Sequence, residues 1–180
     1  MRVEYVNTAA ALITVVIVAI TAIAALIQLR HLRASNELNA LLKLLELEQS
    51  PFLEERFHFV RTQLEEKMKD PDFRSSLDAQ PVDRTVHPER HVIAWYENIG
   101  SWMKHGLIDE DAYLEIASTY INQFWQLLEP TVAIMRRTRT PWLLEDFEYL
   151  AARAKRWLTK HPRGNYPRNT EHLQASNPWQ

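Results

Sequence analysis

The sequence reads TAAALITVVIVAITAIAALI from Thr8 to Ile27, and this stretch decides the fold. It contains no charged residue, no proline and no glycine. A helix rises ~1.5 Å per residue, so a stretch of this length spans ~30 Å, the thickness of the hydrocarbon core of a bilayer. The apolar run is continuous and does not alternate, which favours a helix over a barrel strand. We therefore expect a transmembrane helix at the N-terminus.

Basic residues at the two ends of the span predict its orientation. Arg30 and Arg33 follow the apolar run directly, whereas Arg2 and the terminal amine precede it with Glu4 nearby. Because basic residues concentrate on the cytoplasmic side of a membrane, we expect a single-pass protein with its C-terminal domain in the cytoplasm.

Two other interpretations of the same stretch stay open. A cleaved secretory signal has an apolar stretch of ~7–15 residues and a small-residue cleavage site, which residues 22–24 (Ala-Ile-Ala) resemble. The present run is longer and continues into LIQLRHLR without a break. A buried helix of a soluble core is the other alternative, and it is less favoured because the run is apolar on every face.

Small and hydroxyl-bearing residues lie along one side of the span. Thr14 and Thr21 are seven residues apart on one stripe, and Ala10 and Ala24 lie beside that stripe. Small residues let transmembrane helices approach closely, so this stripe is a candidate face for self-association of the anchor. In the alternative interpretation the threonines bond back to their own helix.

The rest of the chain predicts an all-α fold. No helix-breaking residue occurs between the span and Pro51, so the transmembrane helix is expected to continue into a stalk. Apolar residues at helical spacing then predict a small bundle of about five helices. Helix starts are predicted at Ser50, at Asp109, at Pro130, which opens a short helix, and at Thr140, which caps the last helix, and a helix end is predicted at Gly106. We divide the chain into an anchor with its flanks (residues 1–33), a helical cytoplasmic domain (34–160) and a disordered tail (161–180).

The composition excludes several kinds of chemistry. The chain has no cysteine, which excludes disulfides and thiolate catalysis, and its three glycines form no phosphate-binding loop. His87 and His91 have a spacing that would allow one metal ion to be held, but the segment HPERH lacks the zincin pattern and both are interpreted as surface histidines. We find no catalytic triad, so we expect no enzymatic activity, no cofactor and no metal site.

Charge is distributed unevenly along the chain. Residues 34–130 hold 9 Lys+Arg against 18 Asp+Glu, whereas residues 131–180 hold 9 against 4. The basic end is expected to be solvated or paired with the acidic middle, or else to contact anionic lipid together with the residues that flank the span. Nucleic acid is not expected as a partner, because no reader motif accompanies the basic residues. The candidate lipid contacts are Arg30, Arg33, Arg136, Arg137 and Arg139.

Several segments in order along the chain resemble a known group of proteins. These segments are LIQLRHLR, SPFLEERF, HGLIDEDAYLEIAS, FWQLLEP and EDFEYLA. Together they are similar to uncharacterised bacterial proteins with one N-terminal transmembrane helix and a helical cytoplasmic domain of unknown function. The resemblance covers roughly residues 7–152 and implies a bacterial origin and a single-pass anchor, so the membrane is expected to be the bacterial inner (plasma) membrane. It implies no catalytic residue.

These features predict a membrane-anchored helical protein that acts as a non-enzymatic interaction, scaffold or regulatory module. Its expected partners are the lipid bilayer and either a second copy of the chain or another protein. The alternative is a membrane effector or sensor, of a stress or phage-defence type, that acts by self-association of its anchor.

Overall fold

The computed structural model describes residues 2–167, 169–173 and 176–177, and the side chains from Thr14 onward within those ranges except that of residue 34. The described residues form helices and connecting turns with no strand, which confirms the all-α prediction. The helices are α1 (Arg2–Glu48), α2 (Pro51–Thr62), α3 (Leu64–Lys67), α4 (Pro71–Ser76), α5 (Glu89–Lys104), α6 (Glu110–Thr138) and α7 (Glu145–Lys160).

The chain divides into two compact units, one that ends at Glu46 and one that begins at Leu47. The first unit is most of helix α1, which continues without interruption from the apolar run into the predicted stalk. Every described residue from Thr14 to Arg33 is exposed. Among the described residues, this is the one helix long and apolar enough to cross a membrane, judged by length and composition.

The second unit is a bundle in which α7 packs against both α5 and α6. Aromatic rings fill its centre. The ring of Tyr96 stacks on Phe147 at 5.1 Å and lies 5.7 Å from Phe124, and all three side chains are almost completely buried. Contacts between aromatic rings contribute beyond the area they bury, and these three rings join α5, α6 and α7.

Local signals in the sequence set several helix ends as predicted. Ser50 accepts a hydrogen bond from the Leu53 amide at the start of α2, and Asp109 accepts one from Ala112 at the start of α6. Helix α5 ends in a Schellman motif. The Gly106 amide donates to Met103 and the Leu107 amide to Trp102, with Gly106 at φ +68°.

Helix α7 begins later than predicted and is capped from a neighbouring helix. Residues 141–144 form turns, and Leu144 has φ +62° with no side-chain cap of its own. Instead, Glu97 of α5 accepts a hydrogen bond of 2.8 Å from the Phe147 amide. The expected start at Thr140 is therefore wrong, because the cap that fixes this helix comes from α5.

A prediction about α6 is also wrong. Helix α6 continues through Pro130, which lies at the surface, because Leu128, Thr131 and Val132 around it are buried in the core. That packing outweighs the backbone hydrogen bond that a proline removes. Ile116 and Tyr120 of this helix are 55% and 52% exposed, because the buried stripe runs through their neighbours.

Candidate functional site

The candidate functional site lies in the second unit, where the segment after α4 returns to begin α5. A local turn shapes this segment. Asp83 accepts hydrogen bonds from the amide and the hydroxyl of Thr85, and these bonds lower the pKa of its carboxyl group. The carbonyl of Asp83 also accepts from the His87 amide at 2.9 Å. This turn sends the side chain of His87 back towards α4.

His87 is completely buried, so its interpretation as a surface histidine is wrong. Its ring packs 4.3 Å from that of Phe73, and its Nε2 lies 2.7 Å from the Ser76 hydroxyl. Its Nδ1 lies 2.7 Å from a carboxylate oxygen of Glu89, the first residue of α5. Ser76, His87 and Glu89 thus form a hydrogen-bonded chain that joins α4 to α5.

Glu89 is fully buried, and one of its two carboxylate oxygens has no hydrogen-bond partner. Burial raises the pKa of this carboxyl group, and the hydrogen bond with His87 partly opposes the rise. A charged group buried in this way is costly unless it is paired. The raised pKa therefore favours a Glu89 that holds its proton more tightly than an exposed glutamate.

The order serine, histidine, carboxylate is also that of a catalytic triad, but the Ser76 hydroxyl has a second acceptor here. It donates to the Phe73 carbonyl oxygen at 2.8 Å, and that oxygen can only accept. In the tautomer in which His87 Nε2 carries the proton, the imidazole donates to the Ser76 oxygen and has no lone pair with which to remove the serine proton. A triad needs the opposite arrangement, in which the imidazole accepts.

Three arginines from separate segments come together beside this hydrogen-bonded chain. They are Arg84 in the segment before α5, Arg90 in the first turn of α5 and Arg139 just after α6. We call them the arginine cluster. One terminal guanidinium nitrogen of Arg139 donates hydrogen bonds to the carbonyl oxygens of Leu77 and Ala79, at 3.1 and 2.7 Å. That contact fixes Arg139 against the end of α4.

Buried donors of the arginine cluster lack partners. Nε and one terminal nitrogen of Arg90, and the second terminal nitrogen of Arg139, are buried without a hydrogen bond. Within the described residues, no member of the cluster forms an ion pair. An unsatisfied buried donor costs about 1–3 kcal/mol, and more when it is charged. The fold therefore carries an energetic cost at this place.

The surroundings of Arg90 are electropositive. Burial lowers the pKa of its guanidinium most, and the neighbouring charges of Arg84 and Arg139 lower it further, while Glu89 and Glu97 act in the opposite direction. A cavity of about 270 Å³ opens beside these side chains and is lined by the whole arginine cluster together with residues such as Pro81 and Met135. Its chemistry suits a small anion.

The five arginines predicted to contact lipid lie in different surroundings. Arg136 donates to the Leu143 carbonyl at 2.8 Å and pairs with Glu148, and Arg139 belongs to the arginine cluster. Arg137 is exposed. In the first unit Arg30 and Arg33 are exposed, and Arg33 pairs with Glu37 one helical turn away. Contact of these arginines with lipid stays a prediction.

The proposed association stripe lies on the exposed helix α1. Thr14, Thr21 and Ala24 are exposed, and the side chain of Ala10 lies outside the described residues. The Thr21 hydroxyl lies 2.9 Å from the carbonyls of both Ile17 and Val18, so it donates within its own helix. Thr21 therefore forms the hydrogen bond to its own helix that the alternative interpretation describes.

No cluster of three or more potential metal ligands occurs among the described residues. Sequence reasoning missed the arginine cluster because its members are 6 and 49 residues apart along the chain. It also missed the link from Ser76 to His87, which crosses an irregular segment. The signal that was present is the pair of arginines that flank His87, at positions 84 and 90.

The fold and the site define the class of protein: an all-α bundle that follows a long apolar N-terminal helix, with an arginine-lined cavity in the bundle. The chain belongs to the family described as a domain of unknown function, DUF4760, which matches residues 15–157. This confirms the expectation of an uncharacterised family. Comparisons with curated proteins and with solved structures return no match.

Proposed function

We propose that this chain is a single-pass protein of the bacterial inner membrane, and that its helical unit is a non-enzymatic interaction or regulatory module on the cytoplasmic side. The observation that carries the proposal is that every side chain of helix α1 from Thr14 to Arg33 is exposed. Its large apolar side chains, such as Ile17 and Leu26, are about half exposed or more.

Such exposure is unfavourable in water. Burying one large aliphatic side chain gains ~1.5–3 kcal/mol, so leaving a helix of this length half exposed costs on the order of 10 kcal/mol or more. A bilayer removes this cost over the whole circumference of the helix, whereas a protein partner would cover one side. The basic residues after the span support a cytoplasmic bundle.

The topology is tested with two reporters fused after Gln180 of the full chain. We expect a fluorescent protein at that position to be bright and an alkaline phosphatase, which needs the oxidising periplasm, to be inactive. An active phosphatase would disprove a cytoplasmic bundle. Recovery of the chain in the soluble fraction after alkaline extraction of membranes would disprove the anchor.

A charge variant sharpens this test. Removing both basic residues after the span, in Arg30→Gln with Arg33→Gln, should give a mixed population with some phosphatase activity, because the bias that orients the helix is lost. The matched control is Lys155→Gln with Arg156→Gln, which removes the same charge from the exposed face of α7. This control should leave the phosphatase inactive.

The non-enzymatic role is supported by the complete burial of His87 and Glu89, which keeps both side chains of the Ser76–His87–Glu89 chain away from a substrate in solution. An interaction role is tested by affinity purification of the full chain from native membranes in mild detergent. We expect one defined protein to copurify in a fixed ratio from independent preparations. Purification of the chain alone as a homo-oligomer would favour the second candidate function.

That second candidate is a membrane effector or sensor that acts by self-association of its anchor. It is supported by the continuity of α1 from Arg2 to Glu48, since one helix contains both the apolar run and the stalk. Thr14→Leu with Thr21→Leu should weaken crosslinking between copies in membranes, because bulk is added on the association stripe. Val16→Leu with Ile23→Leu, on the opposite face, should leave crosslinking unchanged. Equal crosslinking in both variants would dismiss the stripe.

A further inference from the structure

We propose that the cavity lined by Arg84, Arg90 and Arg139 binds one phosphate-type oxyanion, either inorganic phosphate or the phosphomonoester group of a small molecule or lipid. This inference goes beyond the proposed function, which assigns no ligand to the bundle. It rests on the unpartnered donors, on the uncompensated charge and on the size of the cavity.

The unpartnered donors point to a ligand that accepts several hydrogen bonds. Arg90 and Arg139 both carry buried guanidinium nitrogens without a partner, and both line the same cavity. A guanidinium presents its donors in a planar fork that matches the oxygens of a phosphate or a carboxylate. An oxyanion held between the two forks would satisfy donors that the protein itself leaves unpaired.

The charge of the cluster points to an anion rather than to water alone. Three guanidinium groups lie close enough for two of them to destabilise the charge on Arg90. The carboxylates that attract Arg90 are engaged elsewhere. Glu89 is hydrogen-bonded to His87, and Glu97 accepts a hydrogen bond from the Phe147 amide at the start of α7. Neither forms an ion pair with the cluster, so positive charge remains uncompensated there.

The size of the cavity and the number of arginines select the ligand. Its volume of about 270 Å³ is smaller than the ~300–1,000 Å³ typical of pockets for drug-sized molecules. One carboxylate is matched by a single guanidinium fork. A phosphomonoester carries about −1.5 to −2 charge at neutral pH and three oxygens, and it suits three converging arginines better.

The test measures thermal unfolding of the full chain in nanodiscs of phosphatidylcholine, followed by tryptophan fluorescence. All six tryptophans lie after residue 94, so the signal reports on the second unit. In the first arm inorganic phosphate is added, with chloride at equal ionic strength as the reference. In the second arm the discs contain phosphatidic acid, whose headgroup is a phosphomonoester. We expect a saturable rise of the unfolding midpoint in the arm that contains the physiological source of the ligand.

Variants of the cluster decide whether the effect belongs to this cavity. Arg84 is exposed, so Arg84→Gln should fold normally and weaken binding about tenfold, as expected for loss of one charge-assisted contact. Arg90→Met should abolish the response. Lys67→Gln, which removes one positive charge from an exposed position of α3 outside both the cluster and the predicted lipid contacts, is the matched control and should bind as the unaltered chain does.

The outcomes separate the two sources of the ligand. A response to inorganic phosphate alone assigns a soluble ligand, and a response to phosphatidic acid that soluble phosphate suppresses assigns a lipid headgroup. Absence of a saturable response in both arms would overturn the proposal. So would a response of equal size in the unaltered chain and in Arg84→Gln. Failure of Arg90→Met to fold leaves Arg84→Gln to decide.

Discussion

Helices α5 and α7 approach each other closely at Gly100 of α5, and this approach predicts the effect of Gly100→Ala. A Cβ atom built on Gly100 would lie 2.0 Å from the carbonyl oxygen of Asp146 and 2.6 Å from its carbonyl carbon. Both are backbone atoms of α7. They cannot rotate away, so the whole first turn of α7 would have to retreat by at least about 1 Å.

Opposing effects set the magnitude. Alanine is favoured over glycine in a helix by about 1 kcal/mol. Overpacking costs about 1–3 kcal/mol. Retreat of α7 also stretches the hydrogen bond from Phe147 to Glu97, and loss of a cap of this kind costs ~1 kcal/mol. We expect Gly100→Ala to lower the free energy of unfolding by about 1–3 kcal/mol.

The assay is thermal unfolding of the full chain in detergent, followed by tryptophan fluorescence. A loss of 1 kcal/mol lowers the midpoint by ~4 °C in a domain of this size, so we expect a fall of ~4–12 °C. Asn98→Ala, at an exposed position of the same helix, gains helix propensity without a clash and should raise the midpoint slightly. A midpoint for Gly100→Ala equal to or above that of the unaltered chain would refute the steric argument.

Two further predictions concern single residues of α5 and its end. Gly106→Ala should lower the free energy of unfolding in urea by about 1 kcal/mol, because Gly106 has φ +68° with open space around it. Gly106→Asn should lower it less, since asparagine tolerates this conformation better than alanine. Equal losses in the two variants would point to a cause other than backbone conformation. Burial raises the pKa of Glu89 above 4.5. Ionisation of this group in the folded chain therefore lowers the free energy of unfolding as the pH rises above that value. The stability of the unaltered chain relative to Glu89→Gln should therefore fall between pH 4.5 and pH 7 in the same assay, and a rise would mean that His87 outweighs desolvation.

The sequence predicted those parts of the fold that depend on local signals. The apolar run, Ser50 before Pro51, Asp109 before an acidic turn and Gly106 after α5 each act through residues within a few positions. Such signals are readable because the groups they satisfy lie in the same turn of helix. The all-α class and the long first helix followed from them.

The remaining features depend on contacts between distant segments. Helix α7 starts where Glu97 of α5 caps it, 50 residues away, and α6 continues through Pro130 because the core holds the residues around it. A rule that places a helix start at a Thr-Pro pair fails at Thr140 for this reason. Tertiary packing overrides local preference at these positions.

The candidate site depends even more strongly on contacts between distant segments. Arg84, Arg90 and Arg139 are individually ordinary in the sequence, and the assignment of Arg139 to a lipid surface treated it as one of a basic run. In the structure Arg139 is hydrogen-bonded to the end of α4, and Arg139 and Arg90 line one cavity while each carries a buried donor without a partner. Unpaired donors from two distant segments that line one cavity mark a functional position more clearly than charge along the chain does. Binding studies on this bundle should therefore begin with Arg84 and Arg90 rather than with the basic run of α6 as a whole.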